Sequence, residues 1–122
     1  SALGNAVTRI TDLHLRTILG INDWERKEEQ DVVVNIEMEF DATNAVESDN
    51  IDDTLDYKEV KKQVIDEVEN SSFYLVEALV GNVLRRVMAN QQVVRAKVRI
   101  DKPHALRFSR SVSVEMTATR KI

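Results

Sequence analysis

Residues 31–41, Asp31-Val32-Val33-Val34-Asn35-Ile36-Glu37-Met38-Glu39-Phe40-Asp41, put Val32, Val34, Ile36, Met38 and Phe40 on one side of an extended chain. Val33, Asn35, Glu37, Glu39 and Asp41 fall on the other. Successive side chains of a strand point to opposite faces, so this alternation describes a strand with one buried and one wetter face, as in an antiparallel sheet covered on one side. Upstream, Leu13, Leu15, Thr17 and Leu19 alternate with Asp12, His14, Arg16 and Ile18, which predicts a strand over Val7 to Leu19. Gly20 then opens a loop that runs through Gln30.

Two more alternating stretches lie near the end of the chain. Val94, Ala96, Val98 and Ile100 oppose Arg95, Lys97, Arg99 and Asp101, and Val112, Val114, Met116 and Ala118 oppose Ser111, Ser113, Glu115 and Thr117. Between the strand pairs the period changes. Asp52, Asp53 and Asp56 suit a helix N-terminus, where carboxylates meet free backbone N–H groups. Tyr57, Val60, Val64 and Val68 follow at helical spacing. Asn70-Ser71-Ser72 breaks that helix and is expected to cap a second one, whose stripe is Leu75, Val76, Leu79, Val80, Val83, Leu84, Val87 and Met88. The order ββααββ predicts an α+β domain: a four-stranded antiparallel sheet with two helices on one face.

The 122 residues make one domain, placed at 6–122. The first five residues are expected to be a remnant of expression or a disordered start. Hydrophobic residues at 43% and charged residues at 31% match a folded globular chain rather than a disordered one. A net charge of -4 argues against a nucleic-acid partner. The charge is uneven: Asp41 to Glu69 is acid-rich and Arg95 to Lys121 is basic. The basic third could attract an anionic ligand or sit beside the acidic third of another subunit. No apolar run nears the ~20 residues of a membrane span, and no secretory pattern opens the chain, so a cytoplasmic protein without membrane contact is expected. Cysteine is absent, which excludes disulfide and thiolate chemistry.

His14 and His104 are the only histidines, too few for a His-based zinc site, and no metal is expected. There is no Gly-rich phosphate loop and no G-x-S-x-G elbow. Lys102 is the most informative residue. Carrying the alternation one step past Ile100 turns its side chain to the apolar face at a strand end before Pro103. Desolvation disfavours an ammonium, so such a lysine can exchange protons near neutral pH; the alternative is a head group that reaches solvent over an apolar stem. Glu77 falls in the first turn of the striped helix, where it either complements the helix dipole or grips a ligand with two neighbouring N–H donors. Glu25 is a loop carboxylate, and Tyr57 is by default a core aromatic with a hydroxyl handle.

Four blocks give these residues a context. Leu19-Gly20-Ile21-Asn22-Asp23-Trp24-Glu25 with Gln30, then Asp53-Thr54-Leu55-Asp56-Tyr57, Phe73-Tyr74-Leu75-Val76-Glu77 and Ile100-Asp101-Lys102-Pro103, resemble in order and spacing the signatures of the dihydroneopterin aldolase family. The resemblance spans about Leu13 to Thr117 and implies the tunnelling fold. In that fold subunits close into a tetrameric barrel, two rings commonly stack into an octamer, and active sites lie between subunits. It implies a dihydropterin substrate and no cofactor. Lys102 would be the catalytic lysine, and Glu77 with the Val76 backbone would anchor the pterin ring. Glu25 would contact the substrate side chain, and Leu55 would help bind it. Tyr57 would reach in from the adjacent subunit to bind substrate and assist proton transfer.

The chemistry implied needs no metal. A dihydropterin ring carries a C=N beside the carbon that loses its substituent, and electrons from the broken C–C bond can flow into it. The protein then has only to take a proton from the side-chain hydroxyl and return one to the carbon that lost its substituent, help worth about 10²- to 10⁴-fold. The products would be hydroxymethyl-dihydropterin and glycolaldehyde. One stretch departs from the aldolase pattern: His104-Ala105-Leu106-Arg107-Phe108 with Arg110 is more similar to the related dihydroneopterin triphosphate epimerases. Epimerisation can use the same cleavage followed by re-addition of glycolaldehyde through its other face. His104, Arg107 and Arg110 are thus candidates for holding a triphosphate, or else surface and interface charges. Asp23-Trp24-Glu25 favours the aldolase, which is the first expectation. The epimerase is the second, and a non-catalytic pterin-binding or ring-forming module is the third.

Overall fold

A computed structural model describes residues 3–121, so Ser1, Ala2 and Ile122 lie outside the described residues. The strands are β1 (Ala6–Leu19), β2 (Gln30–Phe40), β3 (Ser72–Phe73), β4 (Val93–Pro103) and β5 (Ser111–Thr119). The helices are α1 (Thr43–Ser48), α2 (Tyr57–Glu69) and α3 (Val76–Met88), and single 3-10 turns form at Asp23–Arg26 and Ile51–Asp53. The four long strands pair antiparallel in the order β1-β2-β4-β5. The alternation in residues 31–41 is realised directly: Val32, Val34, Ile36, Met38 and Phe40 are all buried. α2 packs over β1, α3 packs over β4 and β5, and the two helices pack on each other. Val60, Val64 and Val68 of α2 and Leu79, Val80, Val83, Leu84 and Val87 of α3 close the core. Each such side chain, fully buried, contributes about 1.5–3 kcal/mol.

The sheet has five strands, not four. Ser72–Phe73 adds a short parallel strand beside Ile18 and Leu19. Of the segment expected to cap the second helix, Ser72 belongs to the sheet and Asn70 is the C-cap of α2, and Leu75 becomes the N-cap residue of α3 without a side-chain cap. Leu75 is accordingly half-exposed instead of lying in the apolar stripe. Helix α1 was not expected: Thr43–Ser48 buries no residue, so it has no stripe for a periodicity to reveal. Asp56 does cap α2, accepting from the N–H groups of Lys58 and Glu59, whereas Asp52 and Asp53 lie in a separate 3-10 turn. A register irregularity at Glu39/Phe40 puts Val93 rather than Val94 in the core. A second, between Ile10 and Leu13, goes with a left-handed Asp12 (φ 54°), whose N–H donates to Asn35 Oδ1 at 2.9 Å. None of the helices among the described residues is long and apolar enough to cross a membrane.

Candidate active site

Three local structures converge at one end of the sheet. Lys102 sits near the end of β4, paired with Val112 of β5, on the same face as buried Ile100. Its side chain is only 15% exposed. The group it meets is Glu25, with which Nζ forms a short ion pair. Glu25 lies in the 3-10 turn that follows β1 and is 3% exposed, so it is not a solvated loop carboxylate. Its Oε1 accepts from the backbone N–H of Asn22 at 3.1 Å and from the Asn22 amide at 2.7 Å. Its Oε2 accepts from the Gln30 amide at 3.2 Å as well as from Lys102.

Burial pushes the Glu25 carboxyl up. The Lys102 ammonium, the Asn22 N–H and the Gln30 and Asn22 amides outweigh that effect and hold it at about 2, below the usual 4.5. Lys102 is thus half of a hydrogen-bonded ion pair rather than a solitary amine in an apolar pocket. A buried charge is tolerable where a partner and further hydrogen bonds satisfy it.

Gly20 makes this approach possible. It has φ +128°, a conformation that L side chains rarely adopt, and a Cβ there would come within 2.2 Å of the Glu25 carboxylate. Gln30, the first residue of β2, adds a bond to the Leu19 carbonyl at 2.7 Å and so ties the turn to the strand that precedes it.

The third contributor is the N-terminus of α3. The first N–H groups of a helix have no intrahelical partner, and Leu75 supplies no side-chain cap, which leaves the Val76 and Glu77 N–H groups open to an acceptor. Glu77, in that first turn, is exposed and forms no hydrogen bond or ion pair with another described residue. Lys102, Glu25, Val76, Glu77 and His104 all line one cleft of about 340 Å³. Ile21, Trp24, Tyr74 and Leu75 complete its walls and are all more than half exposed.

Four expected site residues lie elsewhere in this chain. Leu55 is buried in the core, and Tyr57 is 54% exposed on the first turn of α2, not a core aromatic. Arg107 stacks on Phe108 at 5.2 Å in the exposed β4–β5 connection. Arg110 lines a neighbouring cleft of about 320 Å³ with Asp12, His14, Arg99, Asp101 and His104. His104 therefore borders both clefts. No group of three or more His, Cys, Asp or Glu side chains suited to a metal occurs among the described residues.

The family model for dihydroneopterin aldolase matches residues 8–117, nearly the whole chain. The chain belongs to the dihydroneopterin aldolase family. Among its relatives, the dihydroneopterin triphosphate 2'-epimerase of Pseudomonas aeruginosa is 41% identical over 96% of this chain and 95% of that protein. The dihydroneopterin aldolase of Haemophilus influenzae is 32% identical over 86% of this chain and 89% of that protein. The fold is similar to that of Escherichia coli dihydroneopterin aldolase solved in complex with neopterin, with a TM-score of 0.88, 30% identity, and coverage of 93% of this chain and 98% of that one. The family thus joins aldolases and epimerases of dihydroneopterins, and this chain has relatives of both kinds.

Proposed function

We propose that this protein is a dihydroneopterin aldolase that cleaves the substrate side chain by a metal-free retro-aldol step. The observation that carries the reading is the meeting of Lys102 and Glu77 in one cleft, with Glu25 buried behind the lysine. Glu77 and the Val76 N–H anchor the pterin ring: the carboxylate accepts from two neighbouring ring donors and the helix N-terminus donates to a ring acceptor. The side chain then lies toward Lys102. Lys102 acts as the amine, the ammonium proton of the resting ion pair having first passed to solvent: the hydroxyl proton leaves through a water to Nζ, the C–C bond breaks, and the electron pair enters the ring C=N. The side-chain carbon left on the ring takes up a proton, with Tyr57 of a second copy assisting, and glycolaldehyde departs. Glu25 stands at the side-chain end of the cleft, where it holds Lys102 in place.

A second copy is part of the proposal. Among the described residues β5 has a free outer edge, and β1 pairs on its outer side only at Ile18 and Leu19, so the sheet offers two long open edges. Exposed edges of this kind are ready to pair with another chain. Ile21, Trp24, Tyr74 and Leu75 expose apolar surface at the cleft mouth, and Tyr57 is exposed outside its own cleft. These features support a barrel of four copies, with a second ring stacked on it, in which Tyr57 and Leu55 serve the cleft of a neighbour.

Epimerisation of dihydroneopterin triphosphate is the second reading, favoured by the 41% identity to an epimerase and by His104 at the cleft rim. Incubation with dihydroneopterin and measurement of glycolaldehyde tests the cleavage, and absence of glycolaldehyde rejects the aldolase. The triphosphate form, analysed for side-chain stereoisomers, tests the epimerase. A protein inert toward both would be a scaffold.

A further inference from the structure

Arg26 ends the turn that carries Glu25, and its guanidinium reaches across to the segment before α3. Nη1 donates to the Gly20 carbonyl and to the Phe73 carbonyl, each at 3.1 Å, and Nη2 donates to the Ser72 carbonyl at 2.6 Å. The same group lies 3.9 Å over the ring of Tyr74. Among the described residues Arg26 has no carboxylate partner; three carbonyl oxygens and one aromatic face take up its charge. Gly20 N–H donates to the Phe73 carbonyl at 3.2 Å, so the guanidinium reinforces a junction the backbone already makes.

The two segments it joins carry opposite walls of the cleft. Gly20 opens the turn bearing Trp24 and Glu25, while Phe73 and Tyr74 lead into Val76 and Glu77. Tyr74 lines the cleft, and Arg26 lies over its ring without lining the cleft itself. We propose that Arg26 is a positioning residue that, anchored on both segments, holds Tyr74 as a fixed wall for the planar ring. The inference rests on the pterin reading of the cleft given above. A flat fork that bonds several carbonyls while stacking on an aromatic ring is a geometry available to arginine and not to lysine. Misplacement of a site by about 1 Å can cost about 10²-fold.

The test uses the assembled protein and neopterin as probe. Arg26→Ala raises the neopterin Kd and the KM for dihydroneopterin by about tenfold to hundredfold, by that same measure of misplacement, and leaves the pH profile of kcat in place. Arg26→Lys does not rescue binding. Arg26→Ala combined with Tyr74→Ala binds no more weakly than Tyr74→Ala alone, because the arginine acts through the ring. Amide hydrogen exchange, which needs no ligand, finds residues 20–26 and 72–75 losing protection together while α2 keeps its own. A lowered Tm with unchanged Kd and KM overturns the proposal, as do full rescue by lysine, losses that multiply in the double variant, or exchange that rises evenly through the chain. If Arg26→Ala does not fold, Tyr74→Ala, altered at an exposed side chain, decides on the same readouts. A wild-type protein that ignores neopterin rejects the pterin reading instead, and the exchange experiment still decides whether Arg26 clamps the two walls.

Discussion

Replacing Glu25 by Gln keeps the size of the side chain and removes its charge, which isolates the ion pair at the cleft floor. In the wild type the carboxyl is held at about 2 against an ordinary value of 4.5. At 1.36 kcal/mol per unit this difference corresponds to about 3 kcal/mol of coupling to folding. The cleft opens to solvent, and screening lowers that figure to about 1–2 kcal/mol. Because the folded-state value is depressed, the contribution is complete above about pH 4.5 and disappears as pH falls toward 2. The wild type is therefore more stable than Glu25→Gln at neutral pH, and the gap closes between pH 4.5 and 2. Urea unfolding at a series of pH values measures this, at one fixed protomer concentration because assembly shifts apparent stability. Parallel stability curves for the two proteins across that window would refute the account of the pair. A gap that widened on acidification would refute its sign.

Gly20→Ala places a Cβ within 2.2 Å of the Glu25 carboxylate and demands φ +128° of an L-residue, so it should destabilise by about 1–3 kcal/mol in thermal melts and displace Glu25 from Lys102. Lys102→Ala should retain neopterin binding but lose about 10²- to 10⁴-fold in turnover, read as glycolaldehyde release; undiminished turnover rejects the lysine's role. Dissociating and co-assembling Lys102→Ala with Tyr57→Phe should recover activity that neither variant has alone, since some clefts would then pair an intact lysine with an intact tyrosine; no recovery argues that each chain uses its own Tyr57.

The parts of the fold that the sequence discloses are those where burial imposes a period. β2 reads correctly because every second residue enters the core, and α3 reads correctly because Leu79, Val80, Val83, Leu84 and Val87 form one buried stripe. The direction of Lys102 follows from the same logic carried past Ile100. Elements that bury little escape it: α1 has no buried face, and β3 is two residues long and held by pairing to the end of β1. The site is legible in proportion. Glu77 can be placed because a helix start has a signature. The burial of Glu25 cannot, because it depends on a turn folding back over a glycine five positions before it in sequence and on a lysine 77 residues away. Arg26 is hidden for the same reason, since two of its three carbonyl acceptors lie 46 and 47 residues away and a carbonyl leaves no mark on residue identity.

On the retro-aldol reading proposed above, cleavage and epimerisation begin with the same bond, so the groups that break it cannot decide between them. An aldolase must let the two-carbon fragment escape after cleavage, whereas an epimerase must keep it until the side-chain carbon left on the ring attacks its other face. That difference concerns retention, and retention depends on what closes the cleft rather than on Lys102 or Glu77. In this chain the β4–β5 connection supplies the rim next to Lys102: Pro103, His104 and Ala105 line the cleft, and the His104 N–H closes the loop on the Arg110 carbonyl at 2.9 Å. His104 holds a left-handed backbone (φ 58°) at the junction of two clefts, with Arg110 in the second. Substituting His104 should therefore change the ratio of released glycolaldehyde to inverted side chain while sparing the cleavage rate. A cleavage rate that fell with the ratio unchanged would place His104 in bond breaking and remove the rim from the argument.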